Sequence, residues 1–164
     1  MSAKEKPERN LPYDIDIEQA LLGSLLINEG AFHRVSDALA PSDFYDPLHQ
    51  RLYRALSRIA ETGSNATPLT LAAALAGDPG FEQVGGQTYL VSLARAAPAM
   101  PNLKDYAKIL RRLAQRRVLI TVGEDLVSAA YENDGDVDPA MVADDAANAL
   151  FEATRGNDPG EGLV

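Results

Sequence analysis

Residues 102–131 read NLKDYAKILRRLAQRRVLITVGEDLVSAAY, and this stretch decides the fold. It holds no proline and one glycine, Gly123. Asn102 can cap a helix, and Asp105 three residues later resembles a capping box. Some 30 residues of helix would be about 45 Å long. Asn133-Asp134-Gly135 supplies a stop, and Asp138-Pro139 supplies a cap and a first-turn proline for a second helix that runs to about Thr154. Two helices joined by so short a turn form an antiparallel hairpin.

The hairpin's apolar pattern changes along its length. In the first half Leu103, Tyr106, Leu110 and Leu113 alternate three and four apart and form one stripe. In the second half Val118, Leu119, Ile120, Val122, Leu126, Val127, Ala130 and Tyr131 point to more than one side. The partner helix offers Met141, Val142, Ala146, Ala149, Leu150 and Phe151, which can cover only one of them. The surplus is met either by another subunit or by the rest of the chain folding back. Val118, Ile120, Leu126, Val127, Tyr131 and Leu150 are the candidate self-association residues.

Upstream, residues 14–101 read as a head of five or six short helices. Asp14 or Asp16 caps a helix carrying Ile17, Leu21, Leu22 and Leu25, which stops near Asn28-Glu29-Gly30. A second spans about Ala31–Leu39. A third starts at Asp46-Pro47 and carries Leu48, Leu52, Leu56 and Ile59. Thr67-Pro68 opens a fourth, which Gly77-Asp78-Pro79-Gly80 ends. Phe81–Val84 reads as a connector, and Gln87–Ala96 as a further helix. Period-two apolar runs are lacking, so the expected class is all-α. Residues 1–13 read as a disordered tail, 102–154 as the hairpin and 155–164 as the start of a linker.

Composition narrows the chemistry. The chain has 164 residues, no cysteine and two histidines, His33 and His49. Thiolate metal sites, disulfides and a cysteine nucleophile are excluded. No Gly-Lys pair exists to build a phosphate-binding P-loop, and no His-Glu-x-x-His occurs. Asp134, Asp136 and Asp138 alternate like a calcium loop, but Pro139 follows and no glutamate closes it. Phe44-Tyr45 either plugs the core or stacks on a base or partner side chain. No catalytic, cofactor or metal residue is assigned. Without a signal sequence, a membrane span or cysteines, the expected setting is the cytoplasm.

Net charge is −9, which opposes free-standing duplex DNA binding. The charge is uneven. Six bases (Lys104, Lys108, Arg111, Arg112, Arg116, Arg117) stand against one acid, Asp105, in residues 104–117. Eleven acids stand against one base, Arg155, from Glu124 onward. Either these runs are solvated helix surface, or they are a partner surface; a nucleic-acid or regulatory role for Lys104–Arg117 is the alternative reading.

Several segments carry a family resemblance. They are Glu18-Gln19-Ala20-Leu21-Leu22-Gly23-Ser24-Leu25-Leu26; Phe44-Tyr45 with His49 and Tyr53; Thr70-Leu71 with Leu75; Gly85-Gly86 with Tyr89-Leu90; and Asn102 with Tyr106-Ala107, Ile109, Ala114, Arg117 and Leu119-Ile120. In this order and spacing the chain resembles the N-terminal domain of the DnaB-type replicative DNA helicases of bacteria and phages, from Pro12 to about Phe151. Thr67 departs from the family's usual aspartate but can still cap, and Asn65-Ala66 replaces a common apolar pair.

The resemblance implies a non-catalytic oligomerisation and partner-binding domain. Its hairpins would pair as dimers, and the parent helicase would be a hexamer. The implied partners are the C-terminal domain of primase and a helicase loader. ATP, magnesium and DNA would belong to a RecA-like motor domain absent from this sequence, making the chain an excised domain or a natural short relative. Within the hairpin, Arg111, Arg112 and Asp145 are the candidate partner-binding residues, offering charge for steering beside apolar anchors.

Overall fold

Local capping sets where the helices begin. In the computed structural model, which describes residues 9–132 and 135–155, Asp14 accepts a hydrogen bond from Ile17 N at 3.0 Å and opens α1 (Ile15–Ile27). Asp46 does the same for Leu48 N at 2.8 Å, with Pro47 as the first residue of α3 (Pro47–Glu61). Thr67 accepts from Thr70 N at 3.2 Å, and the Thr70 hydroxyl accepts from Thr67 N at 2.8 Å, a reciprocal box that opens α4 (Pro68–Ala74). Thr67 thus keeps the capping role expected of it.

Between these lie α2 (Ala31–Val35), a 3-10 turn (Pro41–Asp43), α5 (Pro79–Gln83) and α6 (Gln87–Ala96). The hairpin is α7 (Leu103–Tyr131) and α8 (Pro139–Arg155). Among the described residues there is no strand, and the all-α expectation holds. The head contains six helices. Two boundaries differ from expectation. The second helix ends at Val35 rather than Leu39, and the Asp78-Pro79 pair starts a helix where a connector was expected. Asp78 accepts from Phe81 N at 3.1 Å, so the residues read as a stop are a cap and first-turn proline. Residues 1–8, Asn133, Asp134 and 156–164 lie outside the described residues. So do most of the expected tail, part of the stop after the long helix, one of the alternating aspartates and nearly all of the expected linker.

The head core joins Leu21, Leu22, Phe44, Leu52, Tyr53, Leu71, Leu90 and Leu110, all essentially inaccessible. Each fully buried leucine contributes roughly 1.5–3 kcal/mol. Helices α1 and α6 approach closely. A Cβ at Gly23 would lie 2.1 Å from the Leu93 carbonyl oxygen, so only glycine fits there. The first half of α7 enters the core through Leu103, Ala107, Leu110 and Ala114. The buried stripe is rotated from the expected one, with alanines where Tyr106 and Leu113 were expected. Small residues let α7 pack closely against the head, and the larger side chains fall beside the contact.

Candidate functional site

The base of the hairpin is anchored by a polar cluster. Glu18 of α1 and His49 of α3 are both buried, and His49 Nδ1 donates to the Glu18 carboxylate at 2.7 Å. Glu18 also accepts from the backbone N–H groups of Tyr45 and Asp46. His49 Nε2 lies 2.7 Å from the Tyr89 hydroxyl, which Gln19 reaches at 3.4 Å. No buried side-chain polar atom among the described residues lacks a partner. A carboxylate, an imidazole and a phenol in line resemble a proton relay, but here each is consumed in joining α1, α3 and α6.

Above this cluster sits Arg117 of α7. It donates to the Asp43 carbonyl and to the Pro12 carbonyl, each at 2.9 Å. Its guanidinium lies 5.6 Å from the Tyr45 ring centroid, and Tyr13 stacks on Tyr45 at 4.4 Å. Burial pushes the Arg117 pKa down, while Glu18, Asp43 and Tyr45 act in the opposite direction. Six residues earlier on α7, Arg111 pairs with the Asp43 carboxylate at 3.3 Å. Phe44 plugs the core, and Tyr45 lies at the surface between Tyr13 and Arg117.

Beyond Arg117 the hairpin leaves the head. Its two helices meet along an apolar seam: Val122, Leu126 and Ala129 on α7, with Val142, Ala146 and Ala149 on α8. Asp125 and Asp145 rim this groove. No residue of α8 is fully buried.

The long helix therefore has three faces. One enters the head, one meets α8, and a third carries Ile109, Leu113, Ile120, Val127 and Tyr131 at spacings of four and seven. On this third face Leu113 and Ile120 are half-buried, Ile109 is 40% exposed, Val127 56% and Tyr131 82%.

The expected self-association set is accordingly divided. Ile120, Val127 and Tyr131 share the third face. Val118 lies beside Glu152 and Ala153 of α8, and Leu126 lies in the seam. Leu150 is half-buried on α8. Of the expected partner-binding residues, Arg112 and Asp145 are exposed, whereas Arg111 is held by Asp43. Sequence reasoning did not assign Glu18 or Arg117 to the anchor; the signal for Glu18 was a carboxylate one residue from an apolar α1 stripe.

Comparisons with known proteins converge on one family. The model of the DnaB-like helicase N-terminal domain matches residues 10–112. The replicative DNA helicase DnaB of Rickettsia conorii is 37% identical over 144 residues, covering 88% of this chain and 29% of that protein. The replicative DNA helicase DnaB of Geobacillus stearothermophilus is 32% identical over 148 residues, covering 90% and 32%. The chain thus spans less than a third of the length of these relatives. The crystal structure of the N-terminal domain of DnaB helicase from Mycobacterium tuberculosis superposes with a TM-score of 0.79 at 32% identity, covering 87% of this chain and 99% of that one. A DnaB-like replicative helicase, solved together with its interactions with primase, shares the fold at a TM-score of 0.74 and 22% identity, covering 92% of this chain and 33% of that one.

Proposed function

This chain belongs to the DnaB-like helicase N-terminal domain family, and from that membership we propose that it is the non-catalytic oligomerisation and partner-binding domain of a hexameric replicative DNA helicase. Two copies pair through their hairpins. The carrying observation is the third face of α7, whose Ile109, Val127 and Tyr131 are covered neither by the head nor by α8. Exposed apolar residues at helical spacing on a protruding element support an interface.

The same hairpin receives the C-terminal domain of primase or a loader. The support is local: exposed Arg112 and Asp145 beside apolar flanks offer charge for steering and anchors for affinity. The likeness to a helicase solved with its interactions with primase accords with this reading. ATP, magnesium and DNA belong, on this proposal, to the remaining two thirds of the relatives' length. The setting is cytoplasmic, where replicative helicases work; among the described residues no helix is long and apolar enough to cross a membrane.

Light scattering at high micromolar concentration tests the pairing. A dimer is expected for the wild type, and a monomer with unchanged helicity for Val127→Asp; a monomeric wild type refutes the pairing. Titration with the C-terminal domain of the cognate primase tests the second role. Arg112→Glu and Asp145→Lys should change on-rate and salt dependence, and an unchanged salt slope in both places the contact elsewhere.

A further inference from the structure

The segment before α1 crosses the joint between head and hairpin. Ala114 is the last buried residue of α7, and Arg117 lies three residues beyond it, where the helix leaves the head. Residues 9–13 run over this point in no regular element. Pro12 gives its carbonyl to Arg117 at 2.9 Å, and Tyr13 lays its ring on Tyr45 at 4.4 Å with the planes 10° apart. Tyr45 belongs to the head, between the 3-10 turn and α3, and Arg117 belongs to the hairpin. One short segment therefore touches both parts at the point about which they would bend.

The seat beneath it is built by the rest of the chain. Glu18 accepts from the N–H groups of Tyr45 and Asp46, which fixes the loop that carries the Tyr45 ring. The Asp43 carbonyl accepts from Arg117 at 2.9 Å, and the guanidinium stands 5.6 Å from the Tyr45 ring centroid. An aromatic face and an aimed cationic donor are thus in place without help from residues 9–13.

The occupant, by contrast, is lightly held. None of residues 9–13 is buried, and Tyr13 stays 48% exposed while stacked. None of them belongs to the core. Asp14, which follows, caps α1 through its own side chain, so α1 does not need the segment in order to begin. A built seat with a lightly held occupant makes an exchangeable contact. Its chemistry selects what else fits: a backbone carbonyl for Arg117, then an aromatic ring for Tyr45. Phosphate suits it less, because Glu18 and Asp43 act on Arg117 from close by.

We propose that Leu11–Pro12–Tyr13 is a releasable strap that locks the hairpin to the head, and that its seat on Tyr45 and Arg117 accepts an extended peptide segment of a partner protein, one with an aromatic residue after the carbonyl that Arg117 binds. Strap and partner segment compete for the seat. Lifting the strap frees the outer hairpin to swing about the joint while the head stays folded.

Hydrogen exchange with mass spectrometry tests this on the full chain, on Tyr13→Ala and on a chain beginning at Asp14. All three carry Val127→Asp, so that pairing of copies contributes nothing to the protection measured. In the shortened chain, exchange across 118–131 and 139–155 should rise at least about tenfold, the effect of losing a stacked ring pair and a charged hydrogen bond. Tyr13→Ala should raise it part of the way, and exchange in α1, α3 and α6 should stay as it was. A synthetic peptide of residues 9–14, added at millimolar concentration, should restore protection to the shortened chain. The same peptide with Tyr13→Ala should not, nor should either peptide act on the full chain. Unchanged exchange in the shortened chain overturns the lock. A rise that extends through α1, α3 and α6 marks a segment that stabilises the whole head, and overturns it too. Protection restored by both peptides alike, or by neither, overturns the exchangeable seat. Restoration by an oligothymidine where the peptide fails assigns the seat to stacked bases and overturns the peptide reading.

Discussion

Glu18 and His49 come from helices separated along the chain by α2 and a 3-10 turn, yet their side chains meet at 2.7 Å with each residue 1% exposed. The pair is fully enclosed, so its weight rests on completeness: every buried side-chain polar atom in the cluster has a hydrogen-bond partner. Removing one member strands the rest. Glu18→Ala would leave His49 Nδ1 and two backbone N–H groups without acceptors, and a loss of about 3–5 kcal/mol is expected. Urea unfolding followed by circular dichroism measures it; a loss within 1 kcal/mol would show the cluster is not a structural keystone.

Two glycines give opposite expectations. Gly23→Ala drives a methyl into the Leu93 carbonyl, where backbone and not a flexible side chain must yield, so a large fall in melting temperature is expected. Gly123→Ala meets nothing in its own chain and should stabilise α7 by about 1 kcal/mol through helix propensity. Thermal melts at low micromolar concentration, below pairing, compare the two directly.

Neighbouring residues on α7 should fail differently. Leu126→Asp places a charge in the seam with α8 and should loosen that helix, raising amide exchange across 139–155. Val127→Asp places it on the third face and should leave exchange in α8 unchanged while dissociating dimers. Hydrogen exchange with mass spectrometry on both variants separates the outcomes.

Stability should fall at both ends of the pH scale, for separate reasons. The side-chain hydrogen bond from Arg51 holds the Asp78 carboxyl below its ordinary value. An acid whose folded pKa is depressed contributes stability above about pH 4, and the contribution is lost as pH falls through the folded value. Asp78→Asn should flatten the acid limb. Burial pushes the Tyr53 phenol well above its ordinary value. Its contribution is intact below about pH 10 and is lost as pH rises toward the folded value. Tyr53→Phe should flatten the alkaline limb while costing about 1 kcal/mol for the lost bond to the Leu39 carbonyl. Denaturant midpoints against pH for the three chains are the measurement.

Helix starts were legible because their chemistry is local. Asp14, Asp46, Thr67 and Asn102 each bond to an N–H two or three residues on, within any reader's window. The α5 helix was hidden because Gly77-Asp78-Pro79-Gly80 serves as both a stop and a start. The face of α7 that enters the head could not be read to within one residue. Two stripes, 103/106/110/113 and 103/107/110/114, have equal periodicity, and only the closeness of the head selects the alanines. The anchor was least legible. Glu18 meets His49 across 31 positions, and Arg117 meets Pro12 across 105, so nothing near either residue announces the contact. The exposed third face was anticipated in outline, because the second half of α7 carries more apolar residues than one helix can cover.

The thin seam between α7 and α8 bears on assembly. A 17-residue helix that fully buries no side chain draws little free energy from its own chain. Whatever occupies the third face of α7 also stiffens the support on which α8 rests, and binding to the ordered form raises its stability by RT ln(1 + [L]/Kd). The order of the outer hairpin is then a function of concentration. On the pairing proposed above, a dilute copy would fray at its tip and a paired copy would not, so proteases cutting within 139–155 would report the unpaired copies.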